Sequence, residues 1–330
     1  MTRLVLKRLA SAIVVLWIIS MAVFALFFIA PNNVAQKIAG RQATPQTVAE
    51  VARRLGLDRP IIDQYGSFVG GLLHGNLGYS YYNTEPVVSL IASRIGVTIS
   101  LVIGGAVLWL VIGITTGVLA ATHPRSFIDK GATFFAVFFY SMPTFLLGLI
   151  LLYFLFYQLH LAGIPIFPGS GYVSIFENPA QWAQHLILPW IAVALTTAAT
   201  YTRLTRAGML DVLGEDYIRT ARAKGVAEGR ITYRHALRAA LTSVVTQLGI
   251  DVGILLGGAV VTENIFGLPG LGQLAVQSVT QQDLPVIIGI VMLAATFVVV
   301  CNFAVDMFYA VLDPRVRAHE YGEHLPHAAC

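Results

Sequence analysis

The stretch EDYIRTARAKGVAEGRITYRHALRAAL, residues 215–241, interrupts a chain that is otherwise mostly apolar. It contains six Lys and Arg residues and a glycine near its centre, Gly225. Residues 215–224 are good helix formers, with Asp216 near the start and basic side chains near the end, which suits the helix dipole. Gly225 fits the left-handed position that ends a helix, and Glu228 begins a second helix. The stretch therefore predicts two short helices that meet at a sharp bend.

The composition around this stretch indicates a membrane protein. The chain has 330 residues, of which 56% are hydrophobic and only 12% charged, whereas soluble domains have about 25% charged residues. A soluble protein with this composition lacks the polar residues to cover its surface. A helix needs about 20 apolar residues to cross a bilayer. Six stretches meet or approach that length: 9–30, 97–121, 131–157, 186–201, 244–261 and 286–312. We therefore predict an all-α, polytopic membrane protein with six transmembrane helices.

The distribution of Lys and Arg predicts the orientation, because these residues concentrate in cytoplasmic segments. With the N-terminus in the cytoplasm, the inside segments hold 15 of the 21 basic residues; these segments are 1–8, 122–130, 202–243 and 313–330. The first apolar run is longer than the roughly 7–15-residue core of a signal peptide, so we expect it to stay as the first helix. The prediction places both ends and the bend at Gly225 in the cytoplasm.

The remaining basic residues lie in the long outer segment 31–96. Its apolar residues have helical spacing in one part, where Thr44 or Thr47 is suited to cap the start of a helix and Gly56 to end it. We expect small surface helices in this segment and a single transmembrane domain over residues 1–330.

The sequence of the bend resembles a known family. DYIRTARAKG and RHALR resemble the cytoplasmic "EAA" coupling loop of permease subunits in bacterial ABC importers, most closely the dipeptide, oligopeptide and nickel branch. Similar signatures occur along the chain: LGLDRPIIDQYGSFVGGLLHGNLGYS (55–80), GYVSIFENPAQWAQHLILP (171–189), ENIFGLPGLGQL (263–274) and VDMFYAVLDPRVR (305–317). One departure is APNNVAQ at 30–36, where the branch more often has Pro-Gly-Asp-Pro.

The resemblance implies a type I ABC importer permease fold, a place in the inner or plasma membrane of a bacterium, and a loop that docks in a groove of an ATP-binding subunit. The residues named by the "EAA" motif are Arg219, Thr220 and Ala221 here, so the glutamate is absent, as in the peptide branch. The residues that the resemblance assigns to ATPase coupling are Asp216, Tyr217, Arg219, Thr220, Ala221, Arg222, Ala223, Lys224 and Gly225.

The same resemblance implies the partners. They are a homologous second permease subunit, two cytoplasmic ATP-binding subunits or domains, an extracytoplasmic substrate-binding protein and membrane lipid, but no nucleic acid. The substrates of the branch are dipeptides, longer peptides, nickel chelates and some other solutes. ATP and Mg²⁺ are expected on the partner subunits, and no cofactor in this chain.

The residues themselves agree that this chain does not hydrolyse ATP. The phosphate-binding motif GxxxxGK[ST] is absent, and the glycine-rich stretch FGLPGLG at 266–272 lacks the lysine. This stretch predicts a tight turn, with a short helix that begins after Gly270. Two interpretations stay open: the turn only connects two spans, or it helps to shape the outer opening of the transport pathway. With two cysteines and no HExxH spacing, no metal site is expected.

Three carboxylates lie within or beside the apolar runs: Asp251, Glu263 and Asp306. Ionisable groups at membrane depth face a bundle interior or a water-filled path by default. Each is therefore a candidate for the translocation pathway or for a hydrogen bond that holds the bundle together. Pro143 in YSMPTF predicts a kink in the third span.

Two alternatives stay open at this point. The basic bend also suits a solvated face or a helix that lies on anionic lipid. The whole chain also suits a secondary transporter or channel that works without an ATPase, although such carriers usually show internal repeats or paired intramembrane charges. A membrane enzyme would need a nucleophile, base or metal constellation, and none is evident in the sequence.

Overall fold

The computed structural model describes residues 2–29, 35–36, 43–54 and 58–312. Regular structure in these ranges is helical, apart from one β-bridge between Tyr79 and Pro86. The helices are α1 (Thr2–Phe24), α2 (Pro45–Arg54), α3 (Ile61–Leu73), α4 (Val87–Thr122), α5 (Phe127–Ser141), α6 (Thr144–Leu161), α7 (Pro179–Leu213), α8 (Asp216–Ala223), α9 (Glu228–Leu256), α10 (Val260–Ile265), α11 (Leu271–Gln281) and α12 (Leu284–Leu312). π-Helical turns continue α1 over Ala25–Ile29 and lie within α6 at Leu152–Gln158 and within α9 at Ile231–Ala236.

Six of these helices, namely α1, α4, α6, α7, α9 and α12, are long and apolar enough to cross a membrane. The all-α prediction with six transmembrane helices is therefore confirmed. The bounds predicted from apolar runs were too narrow for the second and fourth spans. α4 begins ten residues before Val97, directly after Pro86, and α7 continues past Tyr201 through Arg203 and Arg206. The apolar runs stop short of the helix ends because the added turns contain polar residues, among them Arg94 in α4.

The predicted third span, 131–157, is interrupted. Met142 and Pro143 have extended backbone, with ψ of 120° and 137°, so α5 and α6 are separate helices. Proline lacks the N–H that would continue the helix, and it pushes the residue before it out of the helical region. The predicted kink is thus a complete break. The predicted fifth span, 244–261, likewise ends earlier, because α9 stops at Leu256 before Gly257 and Gly258.

The centre of the bundle is the contact between α4 and α7. Three glycines of α4 receive larger side chains of α7: Gly104 against Trp190, Gly113 against Tyr201, and Gly117 against Thr205. A Cβ on Gly113 would lie 2.4 Å from the Cβ of Tyr201, so no larger residue fits. Small residues bring membrane helices into close contact in this way.

The outer segment forms small helices, as predicted. Thr44 caps α2 by accepting a hydrogen bond from the Thr47 amide at 3.3 Å, while Gly56 lies outside the described residues. α3 packs on α1, where the hydroxyls of Tyr65 and Ser20 are 2.8 Å apart. α3 is therefore attached to the bundle.

Candidate functional site

The bend at Gly225 has the geometry that its sequence predicts. α8 ends with the Gly225 amide bonded to the Arg222 carbonyl at 2.9 Å and the Val226 amide bonded to the Ala221 carbonyl at 3.2 Å. This pair of bonds is a Schellman motif, and Gly225 has the left-handed φ of +75° that the motif requires. α9 then begins at Glu228. We call residues 214–236, which comprise α8, the bend and the first turns of α9, the elbow.

One residue that the sequence reasoning missed is buried within the elbow. Ile218 is fully buried, whereas most of α8 is exposed. α8 packs there against the π-helical turn of α9, in which Ile231 and Ala236 are also fully buried. The sequence carried a signal, because Ile218 is the one large aliphatic residue in an otherwise polar helix. It fixes the angle at which α8 projects.

An ion pair spans the bend. Arg222 donates through Nε to Glu228 Oε1 at 2.8 Å and through Nη2 to Oε2 at 3.3 Å. This carboxylate raises the pKa of the Arg222 guanidinium, first through the hydrogen bond. Both side chains stay exposed, by 43% and 67%, and exposed pairs contribute little to stability. The pair therefore orients Arg222 without removing it from solvent.

All nine residues predicted to couple to an ATPase lie on the elbow. Ala221 is half-buried, and the other eight are exposed: Asp216, Tyr217, Arg219, Thr220, Arg222, Ala223, Lys224 and Gly225. Tyr217 exposes 50% of its surface. The elbow thus presents a continuous polar and aromatic face. What that face contacts stays a prediction.

Asp251 lies in α9 and is bonded inside the chain. It accepts hydrogen bonds from the Tyr201 hydroxyl at 2.8 Å and from Gln247 Nε2 at 2.9 Å. Tyr201 is fully buried beside Trp109. The carboxylate therefore connects α9 to α7, and its hydrogen bonds fit the bundle-holding alternative.

Glu263 is fully buried and accepts three hydrogen bonds from neighbouring groups of the bundle. Its Oε1 accepts from the Thr98 hydroxyl at 2.7 Å, and its Oε2 accepts from the amides of Gly272 at 2.7 Å and Gln273 at 3.0 Å. The Thr98 hydroxyl in turn accepts from the Leu271 amide at 2.9 Å. We call these five residues the Glu263 cluster. It caps the first turn of α11 and links α10 and α11 to α4.

Two glycines of ENIFGLPGLGQL make room for the cluster. A Cβ on Gly270 would lie 2.4 Å from the Glu263 carboxylate, and a Cβ on Gly272 would lie 2.6 Å from Cα of Val260. The predicted short helix after Gly270 is confirmed as α11, since its first residue is Leu271. The glycine-rich stretch thus brings the start of α11 against the buried carboxylate.

The third predicted carboxylate, Asp306, belongs to α12, but its side chain lies outside the described part of the chain. Both alternatives for it stay open. Residues 313–330, predicted as a cytoplasmic tail, also lie outside the described ranges.

Another buried carboxylate was not anticipated. Asp283 follows α11 and accepts hydrogen bonds from the Ser80 hydroxyl and from the amides of Tyr81, at 3.1 Å, and Tyr82, at 3.4 Å. Burial, and then the charge of Asp283, raise the pKa of Tyr81 to about 12. Asp283 and residues 80–82 are about two hundred residues apart in sequence, so no local sequence pattern predicts the contact.

An ion pair joins the start of α5 to the C-terminal half of α7. Arg206 donates to both oxygens of Asp129, at 2.6 Å and 2.9 Å. These hydrogen bonds, with one from the Arg125 amide, hold the pKa of Asp129 at about 2. Asp129 therefore stays ionised at neutral pH. The Asp129 amide also donates to the Ser126 hydroxyl at 3.3 Å, so Ser126 caps the start of α5.

Among the described residues, no three His, Cys, Asp or Glu side chains are grouped so that they could hold a metal ion. The arrangement instead offers an exposed elbow on one side of the bundle and internally bonded carboxylates within it.

Comparison with known proteins places this arrangement in a family. The family profile described as "Binding-protein-dependent transport system inner membrane component" matches residues 113–318, and a profile for the N-terminal part of such membrane components matches residues 1–102. The chain belongs to this family. With its six long apolar helices, the permease is a multi-pass membrane protein.

Relatives extend over nearly the whole chain. A Brucella abortus (strain 2308) protein whose name assigns it to a peptide transport system as a permease is 41% identical, covering 96% of this chain and 99% of that protein. The glutathione transport system permease protein GsiC of Escherichia coli O6:H1 is 38% identical with the same coverage. The dipeptide transport system permease protein DppB of Alkalihalophilus pseudofirmus is 36% identical, covering 94% and 98%.

A solved structure supports the fold. A chain from inward-facing structures of the MetNI methionine ABC transporter superposes with a TM-score of 0.51, covering 68% of this chain and 96% of that one at 21% identity. The permease therefore has the fold of an ABC importer membrane subunit. The alternative of a carrier outside this class is not supported by the family membership.

Proposed function

We propose that the permease is the membrane subunit of an ATP-driven importer of di- or oligopeptides and forms half of its translocation pathway. Relatives over nearly its full length are named for transport of peptides, dipeptides or glutathione, a tripeptide. The chain itself performs no catalysis in this proposal. ATP and Mg²⁺ bind to two cytoplasmic ATP-binding subunits, and a homologous second permease completes the pathway.

The elbow is the observation on which the coupling proposal depends. Only Gly214 and Glu215 separate α7 from α8, and only Lys224 to Ala227 separate α8 from α9. α7 and α9 are both long enough to cross the membrane. A partner that moves α8 would therefore move two membrane helices without a flexible linker between them. The nine coupling residues, from Asp216 to Gly225, form the proposed contact.

The orientation follows from the same proposal. The elbow, within 202–243, faces the cytoplasm together with both chain ends, and the outer segment 31–96 faces the substrate-binding protein. The two described pathway candidates, Asp251 and Glu263, act as bundle-holding groups, because their oxygens are bonded to neighbouring helices.

A charge reversal on the elbow tests the coupling proposal. We expect Arg219→Glu to lower both ATP-dependent uptake and the amount of ATP-binding subunit that copurifies with the permease by roughly tenfold, because an exposed contact residue would repel its partner. The measurement uses the full complex in proteoliposomes with its binding protein, and dipeptides as probes.

Lys130→Glu is the matched control. Lys130 is exposed on α5, near the same end of the bundle but outside the elbow, and its reversal is expected to leave uptake and copurification unchanged. Equal losses in both variants would contradict a specific contact. A loss of Arg219→Glu activity that disappears in vesicles without anionic lipid would instead support a lipid-bound elbow.

A further inference from the structure

Two interrupted helices meet at one open cavity of the bundle. The first interruption, at Met142 and Pro143, precedes Thr144 of α6, and the second, at Gly257 and Gly258, precedes α10. α10 packs against both α6 and α7. Between them lies a cavity of about 390 Å³, within the range of about 300–1,000 Å³ typical of small-molecule sites.

The cavity lies at mid-depth of the bundle. Thr196, which lines it, is halfway along α7 (Pro179–Leu213). Non-helical backbone is tolerated at this depth only where protein covers it or where it borders a water-filled space. Secondary transporters build their substrate sites where membrane helices are discontinuous. Two breaks that border one cavity therefore point to a place that solute passes.

Hydroxyl groups supply the polar lining. Thr144, Thr196, Thr197 and Thr262 all border the cavity, and the hydroxyls of Thr144 and Thr196 are 3.4 Å apart. A threonine hydroxyl both donates and accepts hydrogen bonds. Such groups match the N–H and C=O of a peptide bond, which every peptide carries regardless of its side chains.

None of the described residues that line the cavity has an ionisable side chain. The nearest carboxylate in sequence, Glu263, follows Thr262 directly but is bonded to Thr98 and to the first amides of α11. Asp251, one turn before Leu255, is bonded to Tyr201. Internal hydrogen bonds thus keep both charges away from the lining, which leaves a neutral surface.

We propose that this threonine-lined cavity is a subsite that binds the backbone of the transported peptide. It does not distinguish peptides by the charge of their side chains. This inference rests on the proposed peptide import. It predicts that a charge placed in the cavity would create a selectivity that the native permease lacks.

The test places opposite charges at one position, Thr197→Asp and Thr197→Lys, in the full complex in proteoliposomes. The probes are alanyl-alanine, alanyl-glutamate and alanyl-lysine. For each probe, the uptake rate of the variant is divided by the uptake rate of the native complex. We expect Thr197→Asp to lower alanyl-glutamate uptake relative to alanyl-lysine by about tenfold, and Thr197→Lys to reverse the ratio. Thr197→Val is expected to slow all three alike.

Thr115→Val is the control for hydroxyl loss, because Thr115 is exposed on α4 and its hydroxyl bonds to its own helix at 2.6 Å. It should leave all three uptake rates unchanged. Unaltered ratios in both charged variants, with native uptake intact, would overturn the subsite alone. Absence of ATP-dependent uptake of any probe by the native complex would overturn the proposed function, and this inference with it.

A second measurement does not depend on transport by the charged variants. With Cys301 and Cys330 replaced by serine, a Thr197→Cys thiol is reacted with a charged methanethiosulfonate. We expect alanyl-alanine, delivered by the binding protein in the full complex, to slow the reaction severalfold. An unchanged rate in a complex that still imports the peptide would count against occupancy of this cavity.

Discussion

The elbow and the Glu263 cluster stabilise two bends of the same chain by different means. The elbow depends on local backbone: a Schellman motif, a left-handed glycine and one buried isoleucine, Ile218. The Glu263 cluster depends on a buried carboxylate that binds groups from α4 and α11. The difference shows that an exposed bend can hold its shape largely through its main chain, whereas an internal joint uses its side chains.

Loss of the buried Glu263 carboxylate should have the largest effect on stability. We expect Glu263→Ala to lower the free energy of unfolding by about 3 kcal/mol or more, because the Thr98 hydroxyl and two amides of α11 lose a charged acceptor in a buried site. Thermal unfolding of the purified permease measures this. Asn264→Ala, at an exposed neighbour, is the control and should change little. Equal changes of the unfolding temperature in the two variants would show that the Glu263 cluster does not stabilise the fold.

Overpacking the same joint should have the next largest effect. Gly272→Ala places a Cβ 2.6 Å from backbone of Val260, so α11 must shift, at about 1–3 kcal/mol. Gly131→Ala on α5, where a Cβ meets nothing within 4 Å, is the matched control and should be neutral or stabilising. A native unfolding temperature for Gly272→Ala would mean that the first turn of α11 is not held in place.

The elbow should respond to backbone strain alone. Gly225→Ala puts a Cβ into open space but keeps φ at +75°, a conformation that costs an L-residue about 1–2 kcal/mol. Gly229→Ala, four residues later and equally open, lacks the positive φ and should not strain the chain. Hydrogen exchange at the α8 amides should therefore quicken in the first variant only. Similar exchange in both would remove the argument for a glycine-dependent bend.

The smallest effect is expected for the ion pair of the elbow. Arg222→Gln removes the contact with Glu228, yet both side chains are largely exposed, so the unfolding temperature should stay within error at physiological salt. Thermal unfolding at low and high salt measures the residual contribution. A large, salt-independent loss of stability would mean that side chains, and not the main chain, hold the bend.

Sequence predicted the local parts of this molecule best. The helix stop at Gly225, the restart at Glu228 and the cap at Thr44 each depend on residues a few positions apart. The limits of α7 were predicted poorly, because an apolar count stops at Tyr201 although the helix continues to Leu213. The contacts of Glu263 could not be predicted, since Thr98 is 165 residues away.

The glycine contacts between α4 and α7 have one more consequence. Gly104 and Gly117 lie about 20 Å apart along α4 at 1.5 Å per residue, so the two helices touch over much of the membrane thickness. Two helices in contact at such widely separated points cannot easily bend relative to each other, so α4 and α7 would move as one rigid body. α7 leads into the elbow, and α4 carries Thr98 of the Glu263 cluster. A displacement of the elbow would therefore tilt the α4–α7 pair and move the Glu263 cluster at the opposite end of the bundle.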